Sequence, residues 1–190
     1  MNPLKQFIEK YTDLPAKDWE LIENSFERKE ILKDELILEE GKICRYFYFL
    51  EVGLVRFFIN HEGENLTTYF VDAPYCFTAK ESFHEIVPSK ENIQALCRCV
   101  IWRTTLDKIQ NLSNIPSWER FTRNFIHEVQ GYIEQLLITN KILTAEQRYL
   151  KLLEDHPDLT NRVPLKYLAG FLGIAPQSLS RIRKKYQKNR

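Results

Sequence analysis

Gln177, Arg181, Lys184 and Lys188 recur at spacings of four, three and four near the carboxyl end, with Ser180 and Lys185 beside them. At about 100° per residue these side chains gather on one side of a helix, while Leu179, Ile182 and Tyr186 gather on the other. A stripe of one amide, one hydroxyl and several cations suits the major groove of duplex DNA. Gln pairs with N6 and N7 of adenine, and Arg with O6 and N7 of guanine. Lys184, Lys185 and Lys188 suit phosphates, which fix position without reading sequence. The same residues would also serve as a solvated basic face, so the elements that hold them decide between the two.

Those elements are legible. Residues 163–187 predict a helix, a tight turn and a second helix, with Pro164 and Pro176 suited to the first turn of each. Gly173 falls in the turn, where a left-handed backbone would strain any side chain. Small Ala169 allows two helices to cross closely, and Leu168, Leu172, Ile174, Leu179 and Ile182 supply the apolar contacts between them. Charge agrees with this reading. Of the 27 Lys and Arg residues, eight lie within residues 161–190, which hold no acid. The other 19 share residues 1–160 with all 26 acids, leaving that part at −7. A basic end on an acidic body points to a polyanion partner.

Upstream, the texture changes three times. Residues 1–30 predict a helical lead-in, with Leu4, Phe7, Ile8 and Tyr11 and then Trp19, Leu21, Ile22 and Phe26 at helical spacing. From about 31 to 110, short apolar runs at 35–38, 46–50, 54–59, 66–71 and 93–102 predict strands, with Gly41, Gly53 and Gly63 at turns between them. Two packed sheets or a jelly roll follow. Residues 117–140 return to helical period. Ile126, Val129, Ile133, Leu136 and Asn140 follow the 3-4-3-4 spacing of a coiled-coil seam, equally readable as intrachain core. Phe121, Phe125 and Tyr132 form a second stripe able to pack on the β unit. A further helix starts near Thr144, with Thr144 and Gln147 as a capping pair, and ends at His156–Pro157.

With 190 residues, 44% of them apolar, the chain can bury a real core. It has no uncharged run of the roughly 18 residues a membrane span needs. The start lacks the continuous apolar stretch of a signal peptide, and the four cysteines are few, so a cytoplasmic location is expected. Cys97 and Cys99 alternate with Ile93, Ala95 and Ile101 on one strand face, the pattern of core residues. His61, His84, His127 and His156 are widely spaced and form no H-x-H or H-E-x-x-H pair, so no metal site is expected. Nucleophile-elbow, P-loop and dinucleotide fingerprints are missing too, and the expectation is a protein without catalytic residues.

With a β unit, a long helix and then this motif, the chain resembles the Crp/Fnr family of bacterial transcription regulators. The resemblance runs nearly full length and is carried by residues 144–185 and by the segment with Gly41, Gly53 and Gly63. It implies an α+β architecture: a sensor domain with a cyclic-nucleotide-binding-like jelly roll (1–116), a connecting dimerisation helix (117–140) and a winged helix-turn-helix (141–190). It also implies double-stranded DNA, a second copy of the chain and RNA polymerase as partners, and a small-molecule effector. Lys80, Glu81, Ser82, Ser89 and Lys90 stand where the family's effector pocket is formed. The family's Gly-Glu and Arg-Ser pairs are not met. No glycine precedes Glu81, and Lys90 lacks the planar fork that grips a phosphate, so cyclic AMP is not expected. An alternative reading is a non-enzymatic module whose basic end docks an acidic protein or membrane surface.

Overall fold

The computed structural model describes residues 2–187. The chain divides into two compact units, Met1–Phe57 with Phe70–Gln130, and Phe58–Tyr69 with Gly131–Arg190. The chain opens with α1 (Pro3–Glu9), whose first turn is capped by the Asn2 side chain accepting from the Leu4 N–H at 2.9 Å. Next comes α2 (Ala16–Glu23). The helical lead-in expected through residue 30 stops there, because Glu27–Ile31 is a strand, β1. Its charged, unalternating sequence hides it, and it survives because it pairs along its whole length with a later strand.

The strands expected by texture follow as β2 (Leu36–Leu38), β3 (Tyr46–Val52), β4 (Leu54–His61) and β5 (Glu64–Asp72). Then come β6 (Tyr75–Phe77), α3 (Lys80–Glu85), β7 (Asn92–Ala95), β8 (Cys99–Thr105) and α4 (Leu106–Leu112). The single strand expected over 93–102 is thus two, broken by a bend at 96–98. Cys99 lies on β8 and is buried, but Cys97 sits in the bend, half-buried, and is not a strand core residue. Two four-stranded sheets result, β1-β8-β3-β6 and β2-β7-β4-β5. This is the double-sheet β unit the sequence predicts.

Alternation along β3 sends Tyr48 and Leu50 to one face and Phe47 and Phe49 to the other. Phe49 joins a second core outside the sheets, where Leu4, Phe7 and Ile8 of α1 and Ile22 of α2 meet Trp118, Phe121 and Phe125. Phe7 is its hub, 5.2 Å from Phe49 and 5.8 Å from Phe125 between ring centroids. Phe121 and Phe125 belong to α5 (Pro116–Ile142), which starts at proline as expected. Tyr132, placed on the same stripe by spacing, is exposed instead. Gly53 turns β3 into β4 at φ 117°, and a Cβ there would lie 2.5 Å from Cys99 Sγ and 3.0 Å from its Cα. Only glycine allows that approach.

In the second unit, α6 (Ala145–Asp155) begins at the capping box the sequence predicts. The Thr144 hydroxyl accepts from Gln147 N–H at 3.2 Å, and the Gln147 side chain accepts from Thr144 N–H at 2.9 Å. Then follow α7 (Pro157–Arg162), α8 (Leu165–Leu172) and α9 (Pro176–Gln187). Gly170 of α8 lies against the turn-side part of β5, 3.7 Å from Thr67 N to an added Cβ. Among the described residues no strand follows α5, so the wing implied by the resemblance is not found there. Residues 157–162, a short helix, extend the helical run.

Candidate nucleic-acid interface

Gly173 ends α8 at φ 67° and ψ 33°. Its N–H donates to Gly170 O at 3.1 Å, and Ile174 N–H donates to Ala169 O at 3.0 Å. These are the two bonds of a Schellman ending, which satisfy carbonyls that the helix leaves open. The chain then restarts as α9 at Pro176. Leu168, Leu172 and Leu179, three of the five expected apolar contacts, are buried, as is the small Ala169. Ile174 and Ile182 are half-buried.

This leaves one side of α9 to solvent. Gln177, Arg181 and Lys184 are exposed, and among the described residues none has a hydrogen-bond or ion-pair partner. Ser180 is half-buried at the edge of that face. Lys185 departs from the expectation. Its ammonium bonds Glu146 Oε1 of α6 at 2.7 Å, and Tyr186 Oη donates to the same oxygen at 2.8 Å. The two hydrogen bonds hold the Glu146 carboxyl below the usual carboxylate range, and Glu146 in turn raises Lys185. Lys185 is therefore committed to α6 and does not join the free face. Lys188 lies outside the described residues.

Two arginines that sequence reasoning did not assign tie these helices together. Arg183 projects from its half-buried flank, where Nη2 donates to Thr160 O at 2.8 Å and the guanidinium lies 5.8 Å from the Tyr149 ring centroid. Arg148 of α6 donates to Asn140 Oδ1 at 2.6 Å and to Leu172 O at 2.9 Å, joining the end of α5 to the end of α8. The helical angle of Arg183, far from that of Arg181, was the available signal for the first. Nothing local marks the second.

The seam residues of α5 divide. Ile126 and Ile133 are 61% and 49% exposed, so intrachain core does not account for them, and Leu137, 57% exposed, extends their stripe. Val129 is half-buried against the aromatic core, Leu136 is half-buried, and Asn140 is exposed with its side chain held by Arg148.

The residues expected around an effector are occupied otherwise. Lys90 Nζ bonds both carboxylate oxygens of Glu81, at 2.7 and 2.9 Å, on the surface. Ser82 Oγ accepts from Cys44 N–H at 2.8 Å and donates to Val87 O at 2.6 Å. Ser89 Oγ donates to Glu91 O at 2.8 Å. Lys80 is exposed at the start of α3. A cation already neutralised and two hydroxyls spent on backbone do not fit a cyclic phosphate.

Residues 28–115 match the family model described as "Cyclic nucleotide-binding domain". Solved structures agree along most of the chain. The c-di-GMP responsive global regulator CLP of Xanthomonas campestris is 14% identical, with 92% of this chain and 93% of that one covered and a TM-score of 0.73. FixK2 from Bradyrhizobium japonicum is 15% identical, with 86% and 85% covered and a TM-score of 0.71. A protein of Eubacterium rectale assigned to the Crp/Fnr family is 14% identical, with 93% and 85% covered and a TM-score of 0.71. At such identities the likeness is one of fold: a cyclic-nucleotide-binding-type β domain, a long helix and further helices. No curated protein matches the sequence.

Proposed function

We propose that the chain is a sequence-specific DNA-binding transcription regulator of the Crp/Fnr type, without enzymatic activity and working in the cytoplasm. In this reading residues 1–116 form a sensor domain, 117–140 a dimerisation helix, and 141–190 the DNA-binding domain. The observation that carries the reading is the exposed face of α9, where Gln177, Arg181 and Lys184 have no side-chain partner among the described residues, beyond a turn fixed by Gly173. A second copy, joined along Ile126, Ile133 and Leu137, would present two such faces to successive major grooves about 34 Å apart, and so read a palindromic operator. Lys184 and Lys188 contact phosphates, while Gln177, Ser180 and Arg181 meet base edges. A small-molecule effector and RNA polymerase complete the partners. The Glu81–Lys90 ion pair argues that cyclic AMP is not the effector.

Selection of bound sequences from a random duplex pool, with and without cyclic AMP, tests this. A two-fold-related consensus, unchanged by the nucleotide, is expected. A pool that stays random after repeated rounds would overturn the reading. With the consensus in hand, Arg181→Ala should relax preference at one base position and cost about 1–3 kcal/mol there.

A further inference from the structure

The β unit contains a cleft of about 250 Å³ that neither α9 nor the segment 80–90 uses. It lies between β2 and the inner face of β1, β8 and β3, and strand register sets its chemistry. Glu27, Arg103 and Tyr48 form one row across the three strands, and Lys29, Ile101 and Leu50 form a row two residues further along. Alternation puts both rows on the same face. The floor is apolar: Ile31, Leu38 and Ile101 are all buried.

The charges at the rim are not equivalent. Arg103 is spent, donating twice to Glu27 at 3.0 and 2.8 Å and lying 4.4 Å from the Tyr46 ring centroid. Lys42 pairs with Glu39, and Glu35 accepts from Leu32 N–H. Lys29 and Arg45 also line the cleft, and among the described residues neither has a partner. Tyr48 adds a second unused group. Its ring is stacked on Phe77 at 4.9 Å and is 4% exposed, yet its hydroxyl has no hydrogen-bond partner among the described residues. Burial pushes that phenol well up, which keeps it a donor. Unspent donors above an apolar floor are the usual composition of a small-molecule site.

We propose that this cleft binds a small organic carboxylate with an apolar body. The carboxylate meets Lys29, Arg45 and the Tyr48 hydroxyl, and the body rests on Ile31, Leu38 and Ile101. The volume lies below the roughly 300 Å³ at which pockets for drug-sized ligands begin, so the body is one ring or a short chain. A cyclic dinucleotide is too large.

Calorimetry on the full-length protein with phenylacetate and octanoate as probes tests this, with inorganic phosphate as the control lacking a body. Saturable binding of at least one probe and none of phosphate is expected. Lys29→Gln with Arg45→Gln should weaken it by about tenfold or more, and Tyr48→Phe by several-fold, as loss of charged and neutral hydrogen bonds predicts. Lys29 and Arg45 are exposed, so their double variant should keep the wild-type circular dichroism spectrum. Lys90→Gln should bind as the wild type does. Absence of binding at millimolar probe, equal binding by the double variant, or loss of binding in Lys90→Gln would each overturn the proposal. Because no DNA enters the assay, its failure would leave the reading of α9 untouched.

Discussion

Lys184 and Lys185 are neighbours of the same type, and the structure predicts that they behave differently on DNA. Among the described residues Lys184 has no side-chain partner, whereas Lys185 is bonded to Glu146 at 2.7 Å. Each phosphate contact steepens the fall of log affinity with log salt by about 0.9. A dimer carrying Lys184→Ala loses two contacts, so its slope should be shallower by about 1.8. Between 50 and 200 mM salt the wild type should then lose about twelvefold more affinity than the variant. Lys185→Ala should change the slope by less than about 0.5, since its charge is already met within the protein. Glu146→Gln releases Lys185 and should steepen the slope, and Glu146→Gln with Lys185→Ala should return it to the wild-type value. Fluorescence anisotropy on a labelled duplex from the selected pool, titrated across that salt range, measures all four. Equal slopes for Lys184→Ala and Lys185→Ala would refute the division of the two lysines. An unchanged slope in Lys184→Ala would refute the assigned face of α9.

Three further outcomes are expected. Ile133→Asp should leave the fold intact, because the side chain is exposed, and should convert a dimer to monomers by light scattering after size exclusion; a persistent dimer would locate the seam elsewhere. Gly53→Ala combines a strained φ of 117° with a Cβ 3.0 Å from the Cys99 backbone, and should cost about 3 kcal/mol in urea unfolding; a loss under about 1 kcal/mol would mean the turn relaxes freely. Glu91 is half-buried, its carboxylate has no partner among the described residues, and burial raises its pKa. The folded state therefore holds that proton to higher pH than the unfolded state does, and stability falls as pH rises through the raised value. Glu91→Gln should stabilise at neutral pH and be near neutral in effect at about pH 3, and equal gains at both would refute the assignment.

The pair α8 and α9 was readable because each of its positions is specified locally. Gly173 needs its conformation, Pro176 its place, and Leu168 and Leu179 their periodicity. Most strands of the β unit were readable by short apolar runs and turn glycines. What escaped was set by distant partners. β1 is a strand through pairing with β8, and the bend at 96–98 divides a run that reads as continuous. Lys185 looked like its neighbour because nothing near it in sequence announces Glu146, 39 residues away. The cleft cations Lys29 and Arg45 were invisible for the same reason: their shared lining arises from sheet pairing, not spacing.

Arg148 has a mechanical consequence. A planar guanidinium with one prong on Asn140 and another on Leu172 O acts as a bracket, and a fork resists rotation in a way a lone ammonium does not. Any wrench applied to the last turns of α5 is carried to the foot of α8 and, through the buried Leu172 and Leu179, into α9. In the proposed dimer, a twist along the α5 seam would reach both copies of α9 through these two brackets.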